Sequence, residues 1–440
     1  MIWVYRILFL PLLLLASPYY LWRMRRRGGY IEKFGQRFGG TDPLPAKRDG
    51  VHRIWLQAVS VGEMLAIAPL LEAFRAGGSI EVYLTTTTST GYKLAKEKYG
   101  ALTIGIGYFP LDFWAFSARA WHRVRPDLCI LMEGERWPEH VRQAQMRRVP
   151  VISVNARLSD RSFRRSLRFR AFLRPLSRGM TRVLCSSKRD EQRFKALGFG
   201  SERLQTTGNL KLDVHIPLLT DDEQVQLRRE LGLGAGLVLL GSSTWVGEEE
   251  ALLDALKLAR QRGMKVSLLL VPRHAERREE LRGLLEKSGL SFHFRSEGPY
   301  VAEATKGKTS PGEVDVAVGD TTGELRKFTQ LADLVFVGKS LEPHNGGQTP
   351  VEAAVLGKPI LHGPRMTNFR EIIRTLTETG AVRRVETPGE LTAVVLDLLQ
   401  DSTQRQKLSG AAKAWHEVNR GATERTLAVI RAQLGSLDPL

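Results

Sequence analysis

The chain has 440 residues, 42% hydrophobic and 25% charged, with two cysteines. That length exceeds one core and fits two α/β domains of roughly 200 residues each, and two cysteines exclude a disulfide scaffold. A net charge of +18 calls for an anionic partner, and because no nucleic-acid motif accompanies the arginines, an anionic membrane surface or a phosphorylated substrate is favoured over nucleic acid.

Ile2 to Trp22 is apolar apart from Arg6, Ser17 and the tyrosines, and Arg23, Arg25, Arg26 and Arg27 follow at once. About 20 apolar residues span a bilayer core. Aromatic residues flank the Leu-rich centre, and the charge follows it, as in an anchor whose basic flank is cytoplasmic. Two alternatives stand beside it. One is a cleaved signal peptide, disfavoured by charge after the apolar run. The other is a helix lying in the interface, broken by Pro11 and Pro18. In the anchor reading everything after Arg27 is cytoplasmic.

A Gly- and Arg-rich connector, 28–50, leads into alternating strands and helices. Strands are expected at 54–59, 80–85, 128–132 and 151–154, with helices at 64–74, 90–99 and 137–146. Such alternation predicts a parallel sheet covered on both faces. Arg161 to Arg182 carries eight arginines interleaved with Phe163, Leu167, Phe169, Phe172 and Leu173, a basic amphipathic stretch that Pro175 kinks or divides. It suits a lipid phosphate or a solvated helix face equally. Strand patterns resume at 183–185, pause near 215, and restart at 237–240, 266–271, 314–318, 334–337 and 359–361. The expected organisation is therefore an N-terminal anchor and flank (1–27), one Rossmann-like domain (28–215), a second (216–400) and helices (401–440) that pack back, with a cleft between the domains. Arg295 to Gly312 reads as a solvated loop. Cys129 and Cys185, both in apolar runs, read as buried inert thiols.

Ligands of open α/β sheets bind beyond the carboxyl ends of strands, so the residues there are the candidates. Glu63 in Ser60-Val61-Gly62-Glu63 is placed to take a proton from a hydroxyl, or simply to cap a helix. Glu133 and Glu135 before Trp137-Pro138 either bind hydroxyls or start a helix. Arg273 and His274 offer a phosphate fork or a solvated loop. Ser243 and Thr244, and the turn Thr321, Thr322, Gly323 and Glu324, place hydroxyls and amides between strand and helix, without P-loop or GxGxxG spacing. Gly346-Gly347 permits close backbone approach, and Glu352 is placed for paired ribose hydroxyls. No His/Cys/Asp grouping has metal spacing.

In order, Ser60-Val61-Gly62-Glu63, Glu133-x-Glu135-x-Trp137-Pro138, Asn155-Ala156-Arg157-Leu158-Ser159, Gly208-Asn209-Leu210-Lys211, Val271-Pro272-Arg273-His274, Gly319-Asp320-Thr321-x-Gly323-Glu324-Leu325 and Gly363-Pro364 to Asn368-Phe369 resemble the lipid A Kdo (3-deoxy-D-manno-octulosonic acid) transferases over nearly the whole chain. The resemblance implies a glycosyltransferase-B fold and inverting, metal-independent transfer from CMP-Kdo to the tetra-acylated lipid A precursor, at the cytoplasmic face of the inner membrane and with no cofactor. It makes Glu63 the general base. It places Glu133, Glu135 and Arg157 on the acceptor side, and Lys211, Ser243, Thr244, Arg273, His274, Thr321, Thr322, Gly323, Glu324, Gly347, Glu352 and Asn368 on the donor side. Two positions depart from the family pattern: Trp245 stands where it has histidine, and Gln348 falls in its Gly-Gly-His-Asn-Pro segment. These departures keep open a related transferase with another nucleotide sugar or lipid; a catalytically silent sugar- or lipid-binding homologue is the further alternative.

Overall fold

The computed structural model describes residues 2–27, 32–170, 177–214, 216–301 and 313–436. By internal contact the chain divides into two units: 1–213 together with 421–440, and 214–420. We call these domain 1 and domain 2. The helices foreseen over 401–440 thus divide between them.

Domain 1 is built on seven parallel strands: β1 (His52–Gln57), β2 (Ile80–Thr86), β3 (Gly105–Tyr108), β4 (Leu128–Met132), β5 (Val151–Ala156), β6 (Arg182–Cys185) and β7 (Leu204–Thr206). Their order is β3-β2-β1-β4-β5-β6-β7. Successive side chains of a strand point to opposite faces, and the two cores follow that alternation. Ile54, Leu56, Val82, Leu84, Leu128 and Ile130 face one core, shared with Leu70, Phe74, Leu427 and Ile430. Trp55, Tyr83, Cys129 and Leu131 face the other, shared with Trp121, Val141 and Phe194. The C-terminal helix Ala422–Gly435 is fixed there by Asp213, whose carboxylate accepts the Gly421 and Thr423 N–H groups at 2.9 and 2.6 Å. Both thiols are buried, and burial pushes that of Cys185 up to about 12.

Domain 2 repeats the plan with β8 (Leu237–Thr244), β9 (Val266–Pro272), β10 (Phe292–Phe294), β11 (Val316–Val318), β12 (Leu334–Val337), β13 (Ile360–His362) and β14 (Val382–Arg384). The order is β10-β11-β9-β8-β12-β13-β14. In each sheet the chain builds one half from a central strand, then returns to the centre and builds the other; in domain 2 it lays the edge strand β10 before inserting β11 between β10 and β9. The reversals lie between β1 and β4 and between β8 and β12. A crevice opens beyond the strand ends at such a point, and ligands bind there.

Several expectations are refined. The helix foreseen at 64–74 is two pieces, Val61–Ala66 and Ala68–Gly77, because Pro69 lacks the N–H that would continue the first. Within the loop expected from Arg295, residues 302–312 lie outside those described. So do residues 171–176 of the basic stretch, whose described helix is Asp160–Arg168. The N-terminal helix Ile2–Arg27 differs from a straight anchor. Among the described residues no single helix is long and apolar enough to cross a membrane; Ile2–Phe9 and Pro11–Tyr19 meet that test only as a pair bent by 41°. Pro11 removes a helix hydrogen bond at the bend.

Candidate active site

The reversal in domain 1 brings together the two acidic segments. Glu63 lies just past β1, in a helix capped by Ser60. Its backbone N–H donates to Ser60 Oγ, Ser60 Oγ donates to Glu63 Oε1 at 3.0 Å, and the Val59 N–H donates to Oε2 at 2.8 Å. The capping role weighed on the sequence is therefore real, and it fixes the carboxylate. Burial pushes the Glu63 pKa up, with the charge of Glu133 adding; the Val59 N–H, Ser60 and Lys211 oppose. A carboxylate tuned upward is a better proton acceptor near neutral pH.

Past β4, Glu133 adopts φ +50 and Asn155, at the end of β5, φ +54. Non-glycine residues in the left-handed region are strained and cluster at functional sites. What holds them is a set of ionic contacts. Lys211 Nζ stands 2.6 Å from Glu133 Oε1 and Arg157 Nε 3.2 Å from Oε2. Asn155 accepts the Leu210 N–H at 3.1 Å, which ties the Gly208–Lys211 turn to β5. Lys211 also approaches Gly62: a Cβ placed there would lie 3.6 Å from Nζ. Lys211, grouped with the donor residues on the sequence, is thus paired with Glu133 in the acidic cluster of domain 1. Glu135 accepts from Trp137 Nε1 at 2.5 Å, and burial, then the charge of Glu63, push its pKa up to about 7. Glu63, Glu133 and Glu135 thus sense one another.

The reversal in domain 2 is arranged differently. At the end of β8 Ser243 takes φ +55, and a Cβ on Gly338 would meet its carbonyl oxygen at 2.5 Å, so only glycine lets the β8 and β12 ends close. The amides that follow the Ser243-Thr244 turn are used within the domain. Trp245 N–H donates to Glu248, Gly247 N–H to Glu250, and Glu248 also accepts from the amides of Lys339, Ser340 and Leu341. At the second turn Thr321 Oγ1 donates to Glu324, whose carboxylate also holds Arg295; Thr322 is exposed. Gly346 and Gly347, at φ +113 and +71, relieve crowding from Asn368 and Met366. Asn368 itself is exposed, and its N–H holds Gly346.

What remains without a protein partner among the described residues is informative. Thr244 Oγ1, Trp245 Nε1 and Glu352 Oε2 are buried and unbonded. Buried polar atoms in a native fold are normally satisfied, so these three are open to a ligand's hydrogen bonds, as is Gln57 Nε2 at the end of β1 in domain 1. Lys339, at φ +58, rests its ammonium 4.6 Å above the Trp245 ring and makes no ion pair among the described residues. His274 and His344 flank that ring, each 5.3 Å away between centroids. Arg273 is exposed and likewise without an ion pair among them. On the sequence, Gly338-Lys339-Ser340 opens the Gly-rich candidate segment that runs to Gly357 but gives the lysine no role of its own; its seat on Trp245 does.

A family model described as 3-deoxy-D-manno-octulosonic-acid transferase (kdotransferase) matches residues 32–214. The chain is 34% identical to the 3-deoxy-D-manno-octulosonic acid transferase of Bordetella pertussis, with 96% of this chain and 97% of that one covered. The chain belongs to this transferase family. The Haemophilus influenzae enzyme of the same description is 31% identical, with 97% and 95% covered. The two parallel-sheet α/β domains of this chain share their fold with a glycosyltransferase from Rickettsia africae, 10% identical, TM-score 0.53, covering 87% of this chain and 99% of that one. Kdo transfer in lipopolysaccharide biosynthesis is the activity of the family.

Proposed function

We propose that this Kdo transferase is an inverting enzyme that takes Kdo from CMP-Kdo and passes it to the tetra-acylated lipid A precursor at the cytoplasmic face of the inner membrane. The observation that carries the mechanism is Glu63, buried at the β1–β4 reversal beside the Glu133–Lys211 pair. Glu63 takes the proton of the acceptor hydroxyl. The hydroxyl oxygen bonds to the anomeric carbon of Kdo, and the bond from that carbon to the CMP phosphate oxygen breaks, its electron pair leaving with CMP. The raised pKa of Glu63 keeps the proton affinity high, and Lys211 with Arg157 holds the Glu133 carboxylate in place. Glu135, whose pKa lies near 7, is a donor to an acceptor hydroxyl in its protonated form.

On the donor side, Glu352 with its orphan oxygen suits the ribose diol. CMP-Kdo carries two negative groups, a phosphate and the sugar carboxylate. Just past the β9 and β12 ends stand Arg273 and Lys339, each without an ion pair among the described residues, to meet them. With the Trp245 and Gly247 amides bonded to Glu248 and Glu250, side-chain charge adds to what the 243–244 and 321–323 turns offer.

A second reading, transfer from another nucleotide sugar, is favoured by Trp245 standing in the place of a family histidine. A binding screen of CMP against UDP and GDP separates the two. Tight binding of CMP alone supports the first reading, and preference for UDP or GDP establishes the second.

A further inference from the structure

Arg6 is the one charge inside the apolar N-terminal run, and the proposed chemistry gives it no task. The fold does. Glu139 and Asp112 of domain 1 are both buried. Asp112 starts the helix Pro138–Met146 by accepting the N–H groups of Glu139 and His140 at 3.1 and 2.9 Å. A buried carboxylate needs charge and hydrogen-bond partners, and the N-terminal helix supplies them. Arg6 forks onto Glu139, Nε to Oε2 at 2.9 Å and Nη2 to Oε1 at 2.8 Å. Tyr5 OH donates to Asp112 Oδ2 at 2.7 Å, and Phe9 stacks on Phe113 with centroids 6.1 Å apart.

The other end of the same helix leads to residues fixed on the same domain. Glu32 pairs with Lys96, and Arg37 donates to the Thr87 carbonyl. A helix crossing a bilayer core of roughly 30 Å puts its two ends on opposite sides. One domain cannot hold both. The helix instead leaves Trp3, Val4, Ile7, Leu8, Leu12, Leu14, Leu15, Tyr19 and Trp22 exposed. Nearby in the chain, Arg136 reaches from the segment leading into Pro138 to Ser166 of the helix Asp160–Arg168. That helix and the residues after it expose Arg161, Arg164, Arg165, Arg168 and Phe169. Apolar surface beside exposed guanidinium groups matches acyl chains beneath anionic headgroups.

Resting on the membrane reading above, we infer that the N-terminal helix does not span the bilayer but lies in its cytoplasmic interface, locked to domain 1 through Arg6–Glu139 and Tyr5–Asp112. The short segment from Glu133 to Glu139 then joins the acidic cluster to the lipid surface, so the lock sets the height of the acceptor site over the membrane.

The test uses the full chain in native membranes, where Cys129 and Cys185 are buried and silent. Ile2→Cys and, as a control on domain 1, Asp49→Cys are probed with a membrane-impermeant maleimide in spheroplasts and in inverted vesicles. The expected result is labelling of both in inverted vesicles alone. Labelling of Ile2→Cys only in spheroplasts, with Asp49→Cys labelled only in inverted vesicles, overturns the inference and leaves the membrane reading intact. Protein absent from the membrane fraction, alone or as a soluble dimer, overturns the membrane reading itself. If Ile2→Cys is shielded from both sides, a Phe9→Cys/Phe113→Cys pair decides: rapid cross-linking by a short bis-maleimide supports the docked helix, and its failure sinks it. In detergent, Arg6→Ala is expected to lower the melting temperature by roughly 5 °C or more; an unchanged value contradicts the lock.

Discussion

The two chain reversals are topologically alike and electrostatically opposite. Around β1 and β4 nearly every charge is answered from within: Lys211 and Arg157 hold Glu133, and Ser60 and Val59 hold Glu63. Around β8 and β12, Lys339 and Arg273 lack ion pairs among the described residues, and three buried polar atoms lack bonds. A self-satisfied set of ionisable groups is preorganised to move a proton without rearranging. A set left unsatisfied gains its partners only when ligand arrives, so its worth appears as affinity. Mutations in the first region should therefore fall on turnover and those in the second on donor binding.

The largest expected effect tests the first half of that contrast. Glu63→Gln keeps the capping geometry and removes the base. Transfer should fall by about 10³-fold, while CMP affinity, measured by calorimetry, stays within about twofold. Near-normal turnover would remove Glu63 from the mechanism. Next, Lys339→Met and Arg273→Ala each delete a charge-assisted contact of about 1.5–3 kcal/mol, or roughly 10- to 150-fold in donor affinity. Turnover at saturating donor should move far less. An effect on turnover alone would erase the distinction between the two regions.

Protonation sharpens the comparison further. The folded pKa of Glu135 is about 7 against an ordinary 4.5, so between those values the folded protein binds the extra proton. Its contribution to stability is full below about 4.5, declines as pH rises and is gone above about 7, a change of roughly 3 kcal/mol. Glu135→Gln should flatten that slope in denaturant melts run from pH 4.5 to 7.5; an unaltered slope would mean that Glu135 titrates normally. The smallest effect is expected outside both regions. Asp213→Ala removes the carboxylate that caps the C-terminal helix and should cost about 1 kcal/mol, visible as faster amide exchange over 422–435 with the transfer rate little changed.

Much of this was legible in the sequence because the central strands are buried runs. β1, β4, β8 and β9 are apolar, and each ends in polar residues, so position and chemistry are read together. β3, β7, β10 and β14 were missed for a physical reason: they are three- or four-residue edge or near-edge strands, and Gly105, Gly107, Arg383 and Arg384 break the apolar pattern. The acidic residues of the site could be named from their place after strands, but not their ties. Lys211 meets Glu133, and Arg6 meets Glu139, across 78 and 133 residues, which local pattern does not encode. Nor did the sequence show that Glu248 would clasp the β8 and β12 ends together by accepting the amides of Trp245, Lys339, Ser340 and Leu341.

The central claim is most directly tested by a transfer assay with purified protein, CMP-Kdo generated in place and the tetra-acylated lipid A precursor, read by mass spectrometry. A mass gain of one or more Kdo units, absent with Glu63→Gln, is the predicted result. No gain from folded protein that binds CMP, or an equal gain with Glu63→Gln, would contradict it.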